Sequence, residues 1–263
     1  MRGVHYRHDR LRHPGWTLTL VAVLVSLGAM PKLSFMRGEG PGAITPDGCA
    51  VEFYARLRAR GEPELIHEAI GEKASVLELG AGAGRVTHPL RDLGHEIVAV
   101  DESPDMLARI RGAETVCAPI QDLNLGRRFD AVVMISFLID IPDDDLMRAF
   151  LRTCRSHVRD DGCLILERHK PGWHETVRPT ERTDPAGFTS RIRTVERPEP
   201  GTVALTVDYL WGDASWTHSF LTRPMSDERL SAELATAGFR IDRFLDPDRS
   251  WVRARPVPGG QGA

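Results

Sequence analysis

Apolar and polar residues alternate in blocks through the middle of this chain, with two different periods. Residues 75–79, 96–100, 115–118, 129–138 and 163–167 are short apolar runs. Their length and content are those of buried strands. Helical spacing fills the gaps. Residues 85–93 form one such stretch, closed by Gly94. Another starts at Ser103-Pro104 with Met106, Leu107 and Ile110 on one face. A third carries Leu146, Phe150, Leu151 and Cys154. Ser103 is a good N-cap, and proline is tolerated at the first helical position. Pro89 costs a hydrogen bond unless it lies in a first turn. Upstream, residues 49–70 read as two helices. Val51, Tyr54 and Leu57 share a face, Gly61 stops the first and Pro63 opens the second. Strands alternating with helices predict an α/β fold, with a parallel sheet covered on both faces.

The pattern changes after Glu167. Residues 168–200 are rich in Pro, Arg, Thr and Glu. Residues 202–209 and 215–222 alternate like two antiparallel strands joined across Gly212-Asp213. Ser226 caps a helix with Asp227 and Glu228 in its first turn, favourable to the helix dipole, and Gly238 ends it. Residues 239–244 and 251–254 supply two last strands for the main sheet. The expected organisation is a cofactor half at 72–167, an insert or lid at 168–222 and a C-terminal helix and strands at 226–255. Together these make one domain over 49–255, with a tail at 256–263. Residues 37–48, Gly/Pro-rich and without period, read as a flexible lead-in.

The N-terminus reads differently from the rest. Residues 1–13 carry four arginines, three histidines and one acid, and residues 17–30 are nearly all apolar. That is the shape of a secretory signal, and it is short for a membrane span of about 20 residues. A signal, a weak anchor and an upstream extension from an early start codon all fit segment 1–36. The third is preferred, with Met30 or Met36 as the start.

Composition narrows the function. The 263 residues are 41% hydrophobic and 27% charged, with formal net charge −3, so no global basic field draws polyanions. Nucleic acid is not an expected partner, nor is a membrane unless residues 17–30 anchor the chain. Four scattered cysteines, Cys49, Cys117, Cys154 and Cys163, give no zinc spacing or disulfide framework. Cys117 and Cys163 fall in strand-like runs and are expected in the core. No metal site is expected.

The chemistry starts at Glu78-Leu-Gly80-Ala81-Gly82-Ala-Gly84, between a strand and a helix. Glycine permits a sharp turn and close ligand approach, and helix N-terminal amides face such a ligand. A dinucleotide fingerprint needs a glycine where Arg85 stands. Glu78 would repel a pyrophosphate and can receive an ammonium. Asp101, about 20 residues on, suits ribose hydroxyls. The runs Val76-Leu-Glu-Leu-Gly-Ala-Gly-Ala-Gly-Arg and Val98-Ala-Val-Asp-Glu-Ser-Pro-Asp-Met-Leu resemble the class I S-adenosylmethionine-dependent methyltransferases. Phe129-Asp-Ala-Val-Val and Asp160-Asp-Gly-Cys-Leu-Ile-Leu-Glu extend the likeness over about residues 50–167, with a weaker echo to 251.

The resemblance implies a doubly wound, Rossmann-like fold and S-adenosylmethionine as cofactor. By it, Glu78, Gly80, Ala81, Gly82 and Gly84 hold the methionine end, Asp101 the ribose, and Glu102 and Met106 flank the adenine. Ile120, Gln121 and Asp122 meet the adenine edge, and Ser136 lies below the sulfonium. Ala118-Pro119 stands where many relatives have Gly-Asp, which weakens the adenine assignment. A cofactor of this kind places the protein in the cytoplasm.

Methyl transfer needs a base only when the acceptor must lose a proton. His169 is the candidate, since an unperturbed imidazole titrates near neutrality. Tyr54, Trp173 and His174 are candidate acceptor contacts, and a small molecule is the expected acceptor. Two other readings stay open. One is a non-methylating user of the same cofactor, such as an intramolecular cyclase. The other is a nicotinamide-dependent oxidoreductase, disfavoured by Glu78 and Arg85.

Overall fold

The computed structural model describes residues 36–257. The expected basic and apolar N-terminal segment and most of the tail lie outside the described residues. β1 (Arg37–Glu39), α1 (Val51–Tyr54) and α2 (Glu62–Ile70) come first. Strands and helices then alternate: β2 (Ser75–Leu79), α3 (Thr87–Asp92), β3 (Glu96–Asp101), α4 (Pro104–Leu107), β4 (Glu114–Cys117), β5 (Phe129–Met134), α5 (Asp144–His157) and β6 (Val158–Glu167). α6 (Trp173–Thr176) leads into β7 (Thr180–Thr183), β8 (Phe188–Glu196), β9 (Val203–Trp211) and β10 (Ala214–Thr222). α7 (Asp227–Thr236), β11 (Phe239–Phe244) and β12 (Trp251–Pro256) follow.

Seven strands form the main sheet in the order β11-β12-β6-β5-β2-β3-β4. β2 pairs in parallel with both β3 and β5, while β12 joins β6 antiparallel. Side chains alternate across such a sheet, and both faces are apolar here. Leu77, Leu79, Val132, Met134, Leu164 and Leu166 pack with Met147, Leu151, Leu230 and Leu234 on one face. Val76, Ala131, Val133 and Ile165 pack with Ile66 and Leu90 on the other. This two-sided burial explains the continuous apolar runs. The chain order reverses direction between β2 and β5, and ligands of open α/β sheets bind at the strand C-termini beside such a point.

The N-caps at Ser103 and Ser226 follow the sequence, and Asp143 adds a third. Ser103 accepts from the Met106 amide, Asp143 from those of Asp145 and Leu146, and Ser226 from that of Arg229. The acidic run 143–145 is thus a helix start. Pro89 sits in the first turn of α3, where it is harmless.

Four expectations change. Residues 37–39 of the supposed flexible lead-in form β1, paired with β10 from Arg37↔Ser219 to Glu39↔Thr217. An edge strand held by backbone pairing needs no apolar period, so nothing in the side chains announced it. Residues 168–200, to which no strand was assigned, contain β7 and β8. With β1, β9 and β10 these complete a five-stranded antiparallel sheet. The strand expected at 163–167 starts earlier, at Val158, because the pairing register with β5 shifts between Phe129 and Ala131 and carries the polar stretch 159–162 as the irregular start of a strand. Cys117 is exposed rather than buried, since β4 is the outer strand of the main sheet. Among the described residues no helix is long and apolar enough to cross a membrane.

Candidate active site

β2 delivers Glu78 and the glycine loop to the crevice at the switch point. Glu78 is 2% exposed. The Thr87 hydroxyl donates to its Oε2 at 2.6 Å, and Oε1 has no hydrogen-bond partner among the described residues. Burial raises its pKa to about 7, against the opposing pull of the Thr87 hydrogen bond and the Arg85 charge. A carboxylate held at that cost calls for a cationic partner.

Gly80 and Gly82 both have positive φ, 70° and 54°. A Cβ on Gly80 would come within 2.7 Å of Leu138 Cδ1, whereas one on Gly82 would meet nothing within 4 Å. The backbone at Gly82 therefore faces open space. Its amide donates to Asp101 Oδ2 at 2.8 Å, and the Ser103 amide donates to Asp101 Oδ1 at 2.9 Å. Asp101 thereby ties the loop to the start of α4 and keeps lone pairs free. Burial raises its pKa, with the two backbone hydrogen bonds opposing.

The expected adenine contacts separate. Ala118 donates its amide to Asp101 O, which brings residues 118–122 alongside Asp101. There Gln121 and Asp122 are exposed, as is Glu102. Ile120 belongs to the core beneath the sheet, and Met106 packs with Val51 and Ala83. As side chains these two are packing residues, because α4 and the 120–122 turn bury their apolar members first.

Ser136 follows β5, and its amide donates to Glu167 Oε2 at 2.8 Å. Burial raises Glu167 to about 7, against that hydrogen bond. Ser136 and Phe137 both sit in the left-handed region, with φ 59° and 64°. Two successive non-glycine residues there store strain, about 1–3 kcal/mol each. The bend puts Phe137 against His169, ring centroids 4.0 Å apart, and Trp173 covers the other side at 3.7 Å. His169 is thus clamped between two aromatic faces.

Asp140 completes this corner, and the sequence reading missed it. It is 1% exposed, and its Oδ2 accepts from both the His169 amide and His169 Nδ1, each at 2.7 Å. A lone acid in the apolar run Ile-Ser-Phe-Leu-Ile-Asp-Ile was the available signal, the same one that marks Glu78.

His174 does not line the crevice as expected of an acceptor contact. It is 4% exposed and its Nε2 meets Thr222 Oγ1 at 3.1 Å, because α6 turns it against the end of β10. Burial, and then the neighbouring His169, lower its pKa to about 3, so it is neutral. Asp140, His169 and His174 offer ligand atoms within 4.8 Å of one another, close enough to be weighed as a metal set. Tyr54 is half-buried on the flank of the glycine loop, in a cleft of about 380 Å3 shared with Gly84, Arg85 and His88. Trp216 packs the extra sheet, donating its indole N–H to Pro41 O at 2.8 Å. Arg168 is fully buried and pairs with Asp227, tying the end of β6 to α7.

Residues 76–162 match the family described as a methyltransferase domain. A ubiquinone biosynthesis O-methyltransferase of Bradyrhizobium diazoefficiens is 24% identical over 106 residues, 37% of this chain and 41% of that one. The matched part thus spans less than half the length of that relative. Among solved structures, an S-adenosylmethionine-dependent methyltransferase from Clostridium acetobutylicum superposes with TM-score 0.66 at 16% identity, covering 78% of this chain and 94% of that one. A sugar N-methyltransferase from Streptoalloteichus sp. gives 0.65 at 19% identity, covering 83% and 98%. At such identities the structures speak for the fold. The chain carries a methyltransferase domain at residues 76–162, set in the fold of the class I S-adenosylmethionine-dependent methyltransferases.

Proposed function

We propose that this protein transfers a methyl group from S-adenosylmethionine to a small-molecule acceptor. One observation carries the reading: a buried carboxylate with a free oxygen, Glu78, stands across the glycine loop from Asp101, with open space at Gly82 between them. The donor set fits the cofactor. Glu78 would receive the ammonium of the methionine end and Asp101 the ribose hydroxyls. Glu102, Gln121 and Asp122 would flank the adenine. Glu78 would repel a pyrophosphate, which disfavours a nicotinamide cofactor, while Asp101 suits the ribose of either. When bound, the cofactor supplies a methyl group already activated on a sulfonium.

The chain's own residues hold the reactants and exclude water, which is most of what such a transfer requires. Ser136, Phe137, Glu167 and His169 border the acceptor side at the ends of β5 and β6, with Trp173 behind His169. The antiparallel sheet supplies the cover. A small acceptor suits this corner, and the superposed sugar N-methyltransferase acts on one by its description.

Incubation with methyl-labelled S-adenosylmethionine and a panel of small hydroxyl and amino acceptors tests the proposal. Labelled acceptor with S-adenosylhomocysteine is the expected outcome. Methylthioadenosine as the only nucleoside product would replace methyl transfer by an intramolecular cyclase reaction.

A further inference from the structure

Around His169 three independent constraints converge on one imidazole. The ring is clamped flat between Phe137 and Trp173, with interplanar angles of 17° and 21°. Nδ1 is engaged by Asp140 Oδ2 at 2.7 Å. Nε2 has no hydrogen-bond partner among the described residues. The clamp leaves the ring little freedom to flip, so the edge carrying Nε2 stays presented.

Asp140 is itself fixed. Its amide donates to Phe137 O at 2.9 Å and its carbonyl accepts from the Arg223 amide at 2.8 Å. The same carboxylate oxygen that meets Nδ1 also accepts the His169 amide. It can accept a proton-bearing nitrogen at Nδ1 but cannot donate to a bare one while ionised. The ionised carboxylate therefore selects the tautomer with its proton on Nδ1.

The other groups packed on the ring do not compete. His174 meets it edge-on at 5.0 Å and is neutral. Arg168 is committed to Asp227 and to the carbonyls of Met225 and Arg249. The Glu167 carboxylate takes the Ser136 amide.

We propose that Asp140 is a positioning residue that holds the proton of His169 on Nδ1, leaving Nε2 bare to take the proton that the acceptor sheds. The inference rests on the methyltransferase reading for the acceptor and defines its class: a hydroxyl or amine whose attacking atom carries a proton. That atom keeps the electron pair of its bond to hydrogen and forms the new bond to the methyl carbon. The electrons of the broken carbon–sulfur bond stay on sulfur. The proton passes to Nε2, Asp140 faces the resulting imidazolium, and water then takes the proton from it.

Nitrogen-detected NMR of ring-labelled histidines tests this without any acceptor. The wild-type protein saturated with S-adenosylhomocysteine is compared with Asp140→Asn, using His169→Gln to assign the signal. In the wild type above neutral pH, His169 should show a protonated Nδ1 and a bare Nε2. In Asp140→Asn, whose amide can donate to Nδ1, the population should move towards protonated Nε2. A protonated Nε2 in the wild type would overturn the proposal, and that reading needs no variant to fold. So would an unchanged tautomer in a folded Asp140→Asn protein. Joint movement of the His169 and His174 signals on adding equimolar Zn2+, lost in Asp140→Asn, would make the cluster a metal site instead. Failure of the cofactor analogue to bind at all would count against the methyltransferase reading and not against the tautomer.

Discussion

Replacing Glu78 by Gln removes a charge that burial penalises while keeping the shape of the side chain and an acceptor for the Thr87 hydroxyl. The carboxyl is raised from its ordinary 4.5 to about 7 by burial. At about 1.4 kcal/mol per pH unit, keeping it ionised costs the fold about 3 kcal/mol. The sign follows from linkage. The folded state holds this proton more tightly than the unfolded chain, so the group's contribution is fully present below pH 4.5. It is lost as pH rises through 7. The wild type should lose this stability between those pH values, and Glu78→Gln should not. Urea unfolding of the two proteins without cofactor, at pH 5 and pH 8, measures it. The variant should be more stable by about 1–3 kcal/mol at pH 8, with the gap nearly closed at pH 5. Cofactor binding should move the other way. Glu78→Gln should weaken S-adenosylmethionine at least tenfold, about 1.4 kcal/mol for one lost charge-assisted contact. Wild-type affinity should fall as pH drops below 7, where the carboxyl takes up its proton. A variant less stable than wild type at pH 8, yet binding normally, would refute the reasoning.

Asp101→Asn should weaken S-adenosylmethionine by about tenfold by calorimetry, since an amide accepts fewer hydroxyl and amide protons than a carboxylate, and an unchanged affinity would remove Asp101 from the site. Leu151→Ala, at a fully buried position under the sheet, should cost about 2–5 kcal/mol in chemical denaturation. Arg168→Met leaves the Met225 and Arg249 carbonyls without their donor, although Asp227 keeps Arg249, and should destabilise by about 1–3 kcal/mol, most visibly as early melting of α7 in hydrogen exchange. Ser136→Gly relieves the left-handed backbone and should raise the melting temperature by a few degrees, corresponding to about 1 kcal/mol, while loosening the clamp on His169.

The central strands of the main sheet were legible because burial on both faces leaves short apolar runs bounded by turn residues. The caps at Ser103 and Ser226 were legible because capping is local chemistry between a side chain and an amide three residues away. β1, β7 and β8 were not legible. Their stability comes from backbone pairing to partners far along the chain, such as Arg37↔Ser219, and burial patterns such as the fully exposed β7 carry no period. At the crevice, Glu78 stood out as a lone acid in an apolar strand. Asp140 had the same mark, but its meaning depends on His169, 29 residues later, and only the fold brings the two together. His174 shows the converse. A histidine next to Trp173 looks like a wall of a pocket, yet the turn of α6 buries it against Thr222 of β10.

The central claim is that the crevice between Glu78 and Asp101 holds S-adenosylmethionine. Calorimetric titration of S-adenosylmethionine into the full chain, with NADH as the control ligand, tests it most directly. Saturable binding of the first and none of the second is the predicted result. A folded protein that takes NADH and ignores S-adenosylmethionine would contradict the account.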